Sequence, residues 1–386
     1  MNQKGVRDHN ERLILSVLQR YGAMPGSEIA KQTQLSAQTI SVILRKLEGD
    51  GFVVKGEPVK GKVGKPSVPI GLNPNGALAF GVKIGRRSSE VFLMNLCGTV
   101  LFKAHLGYKF ALPKTVFSFI RNSLKEAKLS IDEKLVAKIC GIGVAAPFDL
   151  WKWGDVGGNT PLAFLSWKDI SIEEEVALFS DLPVFMVNDG TSACWAEHVF
   201  GRGREFNDYA YFFVSTFIGG GLVLNQSVYE GGRGNAGALA PLRIGDRDGR
   251  TKQLLDVASI WVLEEKIAKS GHDPKALWVH PQDWTAFAPH VDEWIVAAAN
   301  AIAQACVSVC AVIDFEAIVV DGHLPSDVRS KLVDAVRARL PQQDSRGLIV
   351  PQIFEGSIGS DARAIGAACS PMFKHFFLSA KSAVPD

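Results

Sequence analysis

Two glycine-rich turns within one short stretch restrict what this chain can fold into more than any other feature. From Val214 to Pro241 the sequence reads VSTFIGGGLVLNQSVYEGGRGNAGALAP, with seven glycines in two groups. Glycine has no Cβ, so such a segment can adopt positive φ angles or bring its backbone close to a ligand. The stretch therefore has the outline of a cradle for a sugar and a phosphate, although it contains no obvious acid, base or metal ligand.

The distribution of charge separates the start of the chain from the rest. At 386 residues the chain exceeds one ordinary hydrophobic core, so two or three domains are expected. Residues 1–70 carry eleven Lys and Arg against six Asp and Glu, a net charge of +5, which leaves −3 for the remainder of a chain whose total is +2. A basic first segment on a slightly acidic body indicates that only the first part contacts nucleic acid.

The first seventy residues have the pattern of a winged helix-turn-helix. Apolar residues recur at helical spacing in RDHNERLILSVLQRYG, and Gly22 can end that helix. Ser27 and Ser36 are the expected N-caps of two further helices, EIAKQTQ and AQTISVILRKLEGDG, which are joined by a tight turn. Two β-rich runs then flank a basic loop of glycine and proline, which predicts a wing. We therefore predict a DNA-binding domain over residues 1–72.

The polar side chains of this segment suit contact with DNA. Short hydrogen-bonding side chains at the start of the third helix can reach base edges or phosphates, and lysines in the wing can neutralise phosphates. We predict DNA contacts from Ser36, Gln38, Thr39, Ser41, Arg45, Lys46, Lys60, Lys62 and Lys65. The alternative is a three-helix protein-interaction module with a solvated basic hairpin. Spacing, caps, wing and charge together favour the DNA-binding interpretation.

The composition favours a cytoplasmic location. The six cysteines are scattered, without a C-x-x-C pair or a Cys/His cluster of zinc spacing. The N-terminus is polar and charged, which favours a reducing compartment. Residues 295–313 approach a membrane span in length, but Asn300, Gln304, Ser308 and many alanines favour a buried central helix. We expect no membrane partner.

The pattern after residue 77 predicts an α/β body. The β-rich runs ALAFGVKIG, SEVFLMNL and TVLFKAHLGY predict an antiparallel meander. Helical segments then alternate with apolar runs such as GIGVAAP and AIVVDG, and a long buried helix is expected from about 291 to 314. We predict a first α/β lobe over residues 77–190 and a second over residues 191–386, whose C-terminal helix could return to the first lobe.

The order of these motifs resembles the ROK family, which groups bacterial sugar kinases with sugar-responsive repressors. The resemblance rests on the ordered set GVKIG, NLCGTVL, GIGVAAP, VNDGTSACWAE, STFIGGGLVLN, GGRGNAG and IVVDG behind a winged helix-turn-helix, and it covers nearly the whole chain. Each glycine motif alone would be a weak signal. The resemblance implies a two-lobed, actin-like ATPase fold in which sugar and ATP meet in the cleft.

Asp189 occupies the position that resembles the catalytic base of the family's kinases. A kinase of this type needs a carboxylate to take the proton of the attacking sugar hydroxyl. In the family this residue and its neighbour, here Asn188, also hydrogen-bond the sugar, so both can bind without catalysis. The alternative is that Asp189 only caps the helix GTSACWAEHVF. We predict a sugar contact from both residues.

The family's nucleotide motifs are altered in three places. The first phosphate hairpin of the family resembles D-x-G-G-T, whereas this chain has Lys83 in place of the metal-organising acid, followed by Arg86 and Arg87. Phe217 interrupts the second hairpin, G-T-G-I-G-G-G in the family, where phosphate would approach. The adenosine motif G-G-G is reduced to DGH at 321–323. The resemblance therefore implies no productive phosphoryl transfer from ATP.

The family's zinc motif is also changed. Zinc-binding members resemble E-x-G-H followed by a cysteine cluster, whereas this chain has Ala238 and Pro241 at the Glu and His positions and no cysteine in the following GDRDGRTKQLLD. No structural zinc is therefore expected. The same two changes remove two polar sugar contacts. Asp256 stands where the family has a further glutamate. We predict a ligand pocket that is formed by Asn159, Asn188, Asp189, Arg233, Asn235 and Asp256.

These features together predict a transcriptional regulator, acting as a repressor, whose catalytically inactive ROK domain senses a sugar or sugar derivative. Its expected partners are operator DNA, a small carbohydrate-like effector and further copies of the chain, as a homodimer or a dimer of dimers. No ATP or zinc cofactor is expected. One alternative is an ATP-dependent sugar kinase fused to a DNA-binding domain, motivated by Asp189 and the glycines at 219–221. Another is a DNA-binding scaffold without a ligand.

Overall fold

The computed structural model describes residues 3–58, 67–147, 165–245, 250–279 and 281–378. The chain divides into two compact units. The first unit comprises Met1–Val187 and Ala367–Asp386, and the second comprises Asn188–Gly366. The winged segment therefore belongs to the first unit, and the C-terminal residues belong to it as well.

The N-terminal segment is a winged helix-turn-helix, as predicted. Its elements are helices α1 (Gln3–Tyr21), α2 (Gly26–Thr33) and α3 (Ala37–Gly49) and strands β1 (Met24–Pro25), β2 (Val53–Lys55) and β3 (Pro69–Leu72). The strands form an antiparallel sheet in the order β1-β3-β2. Helix α1 ends where Gly22 adopts a φ of 80°, a conformation that glycine adopts without strain.

The two serines that the sequence predicts as caps behave differently. Ser36 caps α3, since its Oγ accepts a hydrogen bond from the Thr39 amide at 3.1 Å. Ser27 was expected to cap α2 and does not: it lies inside the first turn, and the N-cap position is held by Pro25, which makes no side-chain cap. Proline pre-sets an extended backbone there, so the helix begins one residue before the predicted cap.

The body of the first unit is a mixed five-stranded sheet with helices packed against it. Its strands are β4 (Leu78–Ile84), β5 (Ser88–Asn95), β6 (Val100–Gly107), β7 (Ile139–Ala146) and β8 (Val184–Asn188), and its helices are α4 (Pro113–Leu129), α5 (Glu133–Val136) and α6 (Ile172–Ala177). The sheet order is β6-β5-β4-β7-β8. Strands β4, β5 and β6 form the predicted antiparallel meander, and β4 pairs in parallel with β7. The apolar side of α4 packs into this core.

The second unit carries another five-stranded sheet. Its strands are β9 (Tyr209–Val214), β10 (Gly219–Leu224), β11 (Ser227–Tyr229), β14 (Ala317–Gly322) and β15 (Gln352–Glu355), and a separate pair is β12 (Arg243–Gly245) with β13 (Thr251–Gln253). The helices are α7 (Asp189–Phe200), α8 (Leu255–Ala258), α9 (Ile260–Lys269), α10 (Ala288–Cys310) and α11 (Ser326–Arg339), and α12 (Ala362–Phe376) begins in this unit and ends in the first. The sheet order is β11-β10-β9-β14-β15, with β14 parallel to both neighbours.

Helix α10 is the long helix that the sequence places at about 291–314. Among the described helices, the stretch Thr285–Cys310 is the one that is long and apolar enough to cross a membrane, but more than half of its most apolar window is buried inside the protein. The buried side includes Trp294 and Ile302. A core helix of a globular domain gives the same pattern of length and composition.

The end of α12 contacts the winged segment within the first unit. The Arg12 guanidinium donates a hydrogen bond to the Lys374 carbonyl oxygen at 3.0 Å, and the Leu378 amide donates to the Ser16 hydroxyl at 2.9 Å. The rings of Phe52 and Phe376 lie 5.0 Å apart. The boundary between the two units falls within α12, because its residues up to Gly366 belong to the second unit and those from Ala367 onward to the first.

Candidate DNA-binding surface and effector site

The exposed side of α3 presents the polar residues that the sequence predicts to contact DNA. Helix α3 buries Ile40, Ile43, Leu44 and Leu47, so the remaining positions face outward. Gln38, Ser41 and Arg45 are exposed. Ser36 and Thr39 also lie on this end of the helix, but their hydroxyl oxygens are 2.9 Å apart and bond to each other. Gln38 and Ser41 are therefore the predicted residues near the helix start whose exposed side chains make no hydrogen bond to the described residues.

The predicted basic DNA contacts fall into three groups. Arg45 is exposed, and its Nε donates to the Ser41 carbonyl one turn earlier at 3.2 Å. Lys46 is held within the domain by Glu11 at 2.6 Å and Asp50 at 3.3 Å, and the hydrogen bond to Glu11 is the main cause of its raised pKa. That pairing ties α3 to α1. The wing residues Lys60, Lys62 and Lys65 lie outside the described residues.

Asn188 and Asp189 share the start of α7 in the second unit, but in different roles. The Asn188 Oδ1 accepts hydrogen bonds from the Gly190 amide at 2.9 Å and the Thr191 amide at 3.3 Å, so Asn188 is the N-cap. The alternative that Asp189 caps this helix is therefore wrong, because Asp189 is its first residue. The Asp189 Oδ1 accepts from Gly190 at 3.0 Å, and the side chain keeps 27% of its surface exposed. Asp189 thus remains available to a ligand.

Arg363 lies beside Asp189 and was not singled out by the sequence. It is in the first turn of α12, its side chain is 8% exposed, and its Nη1 is 3.8 Å from the Asp189 Oδ2. Its Cζ lies 5.3 Å from the centre of the Phe213 ring, and its carbonyl accepts from the Ser192 hydroxyl at 2.6 Å. The sequence offered one signal for Arg363, namely that this charged residue comes directly before a run of small and apolar residues in RAIGAAC.

Two of the three glycines of β10, Gly220 and Gly221, are required by packing within the second unit. A Cβ at Gly220 would overlap the Tyr211 carbonyl oxygen, and one at Gly190 would come within 2.6 Å of the Gly220 carbonyl oxygen. Helix α7 therefore lies directly on β10. None of the glycines at 219–221 has a positive φ, whereas Gly231, Gly234 and Gly237 do. The second group of glycines thus matches the predicted left-handed turns.

The other predicted ligand residues are spread over the second unit. Arg233 and Asp256 are exposed, and Asn235 is half-buried. The Asp256 Oδ2 accepts from the Gln253 amide at 3.1 Å. Within the described part of this unit, no hydrogen bond or ion pair joins these three residues to Asp189. Asn159 lies outside the described residues.

The residues at the first nucleotide-motif position make a buried ion pair in the first unit. Lys83 is 3% exposed, and its Nζ donates to the Ser88 hydroxyl at 2.7 Å and lies 3.3 Å from the Glu90 Oε1. A Cβ at Gly85 would come within 2.7 Å of the Lys83 side chain, so the lysine fills the turn. Arg86 is half-buried. At the position where the family's kinases have the acid that organises magnesium, this chain therefore has the Lys83 ammonium group, whose charge is balanced by the Glu90 carboxylate.

The remains of the adenosine motif are enclosed in the second unit. Asp321 is fully buried, and its carboxylate accepts hydrogen bonds from Arg329 at 3.1 Å and Tyr211 at 3.1 Å. Burial is the main reason that its pKa is raised, although Arg329 and backbone amides oppose the shift. His323 is 4% exposed and stacks on Trp278 with ring centres 5.3 Å apart. Both side chains contribute to the core of this unit.

The described residues contain no group of three or more His, Cys, Asp or Glu side chains placed to hold a metal ion. Ala238 and Pro241, at the motif positions of Glu and His, are exposed. A methyl group and a pyrrolidine ring offer no metal ligand.

Comparisons with known proteins give a consistent match. Residues 79–370 match the ROK family model, and residues 7–54 match a model described as winged helix-turn-helix DNA-binding. The chain is 27% identical over 383 residues to the protein y4fQ of Sinorhizobium fredii, with 96% of this chain and 92% of that protein covered.

Named regulators match over a shorter length. Identity to the xylose repressor of Caldicellulosiruptor bescii is 24% over 253 residues, with 64% of this chain and 61% of that repressor covered. Identity to the DNA-binding transcriptional dual regulator NagC of Escherichia coli is 22% over 239 residues, with 62% and 58% covered. These alignments thus span about three fifths of each regulator.

Solved structures share the fold. A ROK family transcriptional regulator, a homologue of the E. coli MLC protein, superposes with a TM-score of 0.66 at 19% identity, covering 95% of this chain and 96% of that one. A ROK family glucokinase from Streptomyces griseus gives a TM-score of 0.58 at 19% identity and covers 76% of this chain. The regulator matches nearly all of this chain, whereas the kinase leaves almost a quarter of it unmatched.

Proposed function

This chain belongs to the ROK family, and from that premise we propose that it is a cytoplasmic transcriptional repressor that binds operator DNA and responds to a small carbohydrate-like effector. The observation that carries the proposal is the winged helix-turn-helix at residues 7–54, joined in one chain to a ROK domain at residues 79–370. The exposed polar face of α3 supports the DNA-binding role. Helix-turn-helix proteins commonly bind paired half-sites, so we propose a homodimer or a dimer of dimers.

The ROK domain of this protein is proposed to bind its effector without phosphorylating it. Lys83 is buried against Glu90, and Phe217 interrupts the second phosphate motif. Asp321 is enclosed by Arg329 and Tyr211. Three separate nucleotide elements are therefore changed, whereas Asp189 remains partly exposed at the sugar position. We also propose that the protein needs no zinc, because Ala238 and Pro241 stand where zinc-binding members of the family have Glu and His.

DNA binding can be tested with the full-length protein and duplex DNA selected from a random library. We expect Gln38→Ala to weaken binding to the selected duplex by about 1–3 kcal/mol, because an exposed amide at this position can read a base edge. Fluorescence anisotropy measures the change. Gln352→Ala, an exposed glutamine on β15 of the second unit, is the matched control. Equal affinities of the two variants would argue against α3 as the reading helix.

Effector control can be tested in the same assay. The anisotropy measurement is repeated with sugars, sugar acids, polyols and sugar phosphates. An effector binds the state of the protein that can bind DNA and the state that cannot with different affinities, so it must change the affinity for the operator. A ligand that binds but leaves operator affinity unchanged would contradict the proposal. The absence of any thermal shift with all of these compounds would instead favour a DNA-binding scaffold without a ligand.

The kinase alternative has its own test. Asp189 and the glycines of β10 motivate it, since both are retained from the kinase pattern. An assay that couples ADP release to a detectable signal should show no turnover with any sugar that binds. Turnover that is abolished in Asp189→Asn would establish the kinase instead.

A further inference from the structure

Arg363 is a buried cation whose hydrogen-bonding capacity is largely unused. Its side chain is 8% exposed, and its Nε has no hydrogen-bond partner among the described residues. Its distance of 3.8 Å to the Asp189 carboxylate is that of an ion pair and is too long for a hydrogen bond. An arginine presents five N–H donors, and leaving such donors buried and unmatched is costly.

The surroundings of Arg363 hold its guanidinium in place without satisfying it. The ring of Phe213, 5.3 Å from its Cζ, offers a cation–π contact but no acceptor. The Ser192 hydroxyl bonds the Arg363 carbonyl oxygen, so it fixes the backbone only. The Asp189 carboxylate lies beside Nη1, whereas Nε has no hydrogen-bond partner among the described residues. The edge of the guanidinium formed by Nε and Nη2 therefore lacks an acceptor at Nε. This edge is the planar fork that binds a carboxylate through two parallel hydrogen bonds.

A second buried polar group, in the first turn of α7, also lacks a hydrogen-bond partner among the described residues. The Thr191 hydroxyl is buried on α7, two residues after Asp189, and makes no hydrogen bond to the described residues. It neighbours Ser192, the residue that bonds the Arg363 backbone. Buried polar atoms without partners are uncommon in folded proteins, so each calls for an explanation, and a bound ligand is one such explanation.

We propose that the effector is a sugar acid whose carboxylate is bound by Arg363 while its hydroxyls contact Asp189. This inference rests on the proposed function and names the chemical class of its ligand. Arg363 and Asp189 together have no net charge, so a bound carboxylate leaves the site at −1. A phosphate monoester, with a charge of about −1.5 to −2 at neutral pH, would leave it more negative beside Asp189. The single guanidinium therefore favours a carboxylate.

Isothermal titration calorimetry on the full-length protein tests the ligand class with matched compounds. The probes are D-glucose, D-glucuronate, D-gluconate and D-glucose 6-phosphate, and the same series built on galactose. We expect at least one acid to bind about 10- to 100-fold tighter than its neutral parent, since a hydrogen bond to a charged group contributes that factor. Binding by none of the acids, or equal or tighter binding of a parent sugar or a sugar phosphate, would overturn the proposal.

Variants test whether Arg363 provides the selectivity. Arg363→Gln should lose about 10- to 100-fold in affinity for the acid. Arg363→Lys keeps the charge without the fork, so its loss should be intermediate, and it serves as the test if the glutamine variant does not fold. Arg346→Gln, at an arginine whose side chain is 91% exposed and paired with Asp344, should bind like the wild type. Unchanged acid binding in both Arg363 variants would contradict the assignment.

Operator binding distinguishes the two proposals. If an acid binds through Arg363 but leaves operator affinity unchanged, the effector-controlled repressor is wrong and the carboxylate site stands. If a neutral sugar changes operator affinity and no acid binds, the repressor stands and the carboxylate site is wrong.

Discussion

At the scale of single residues, Glu197 shows how strongly the second unit depends on a buried carboxylate. Glu197 on α7 is fully buried and accepts hydrogen bonds from the backbone amides of Arg202, Ser357 and Ile358. Burial, and after it the nearby charge of Asp321, raises the pKa of Glu197, although these amides oppose the shift. The carboxylate therefore links the end of α7 to the loop before α12.

The raised pKa of Glu197 predicts a stability profile that can be measured. The folded protein holds this proton at pH values where the unfolded chain, with a glutamate pKa of about 4.3, has lost it. The stabilising contribution is full below that pH and is lost as pH rises through the raised pKa. We expect the free energy of unfolding of the wild type, relative to Glu197→Gln, to decrease as the pH rises above the glutamate pKa of the unfolded chain, about 4.3. Urea unfolding at stepped pH values measures the difference.

Glu205 provides a control of opposite sign. Its pKa is lowered, mainly by the hydrogen bond from Arg202, so its contribution is present at higher pH and is lost on acidification. Glu205→Gln should therefore give a smaller trend in the reverse direction, because Glu205 is exposed. A difference between wild type and Glu197→Gln that does not change with pH would show that Glu197 does not titrate as described.

At the scale of secondary-structure elements, the glycines of β10 explain how α7 can lie on the sheet. We expect Gly220→Ala to destabilise the protein by about 3 kcal/mol or more, because the added Cβ would overlap the Tyr211 carbonyl oxygen and approach Leu239 within 2.6 Å. Gly232→Ala is the matched control, since a Cβ there meets nothing within 4 Å, and its effect should stay within about 0.5 kcal/mol. Thermal unfolding compares the two. Similar losses would mean that β10 tolerates side chains.

Local sequence patterns predicted most elements but not the contacts between them. Apolar periodicity and the N-cap at Ser36 predicted the winged segment and the meander, because both signals depend on residues only a few positions apart in the chain. The packing role of Gly220 could not be predicted, because the atoms it must avoid are placed by another strand and helix. The pairing of Arg363 with Asp189 likewise joins positions far apart in the chain. Of the residues proposed to bind the effector, the sequence singled out Asn188 and Asp189 but not Arg363.

At the scale of the whole molecule, charge divides DNA binding from the rest of the chain. Residues 1–70 carry a net charge of +5 and the remainder −3. The body therefore contributes little attraction to DNA, and the electrostatic part of operator binding should come from the winged segment. Helix α12 reaches this segment through the contacts of Lys374 and Phe376 with α1 and the residue before β2.

The salt dependence of operator binding can test both the wing and the number of copies that bind. Each phosphate neutralised by a lysine or arginine adds about 0.9 to the slope of log affinity against log salt concentration. If Lys62 contacts phosphate and the protein binds as a homodimer, Lys62→Ala removes two contacts and should lower the slope by about 2. If the protein binds as a monomer, the same variant should lower the slope by about 1.

Fluorescence anisotropy between about 50 and 200 mM salt measures the slope. Lys252→Ala, an exposed lysine on β13, should leave it unchanged, and an unchanged slope in Lys62→Ala would exclude a phosphate contact from this residue.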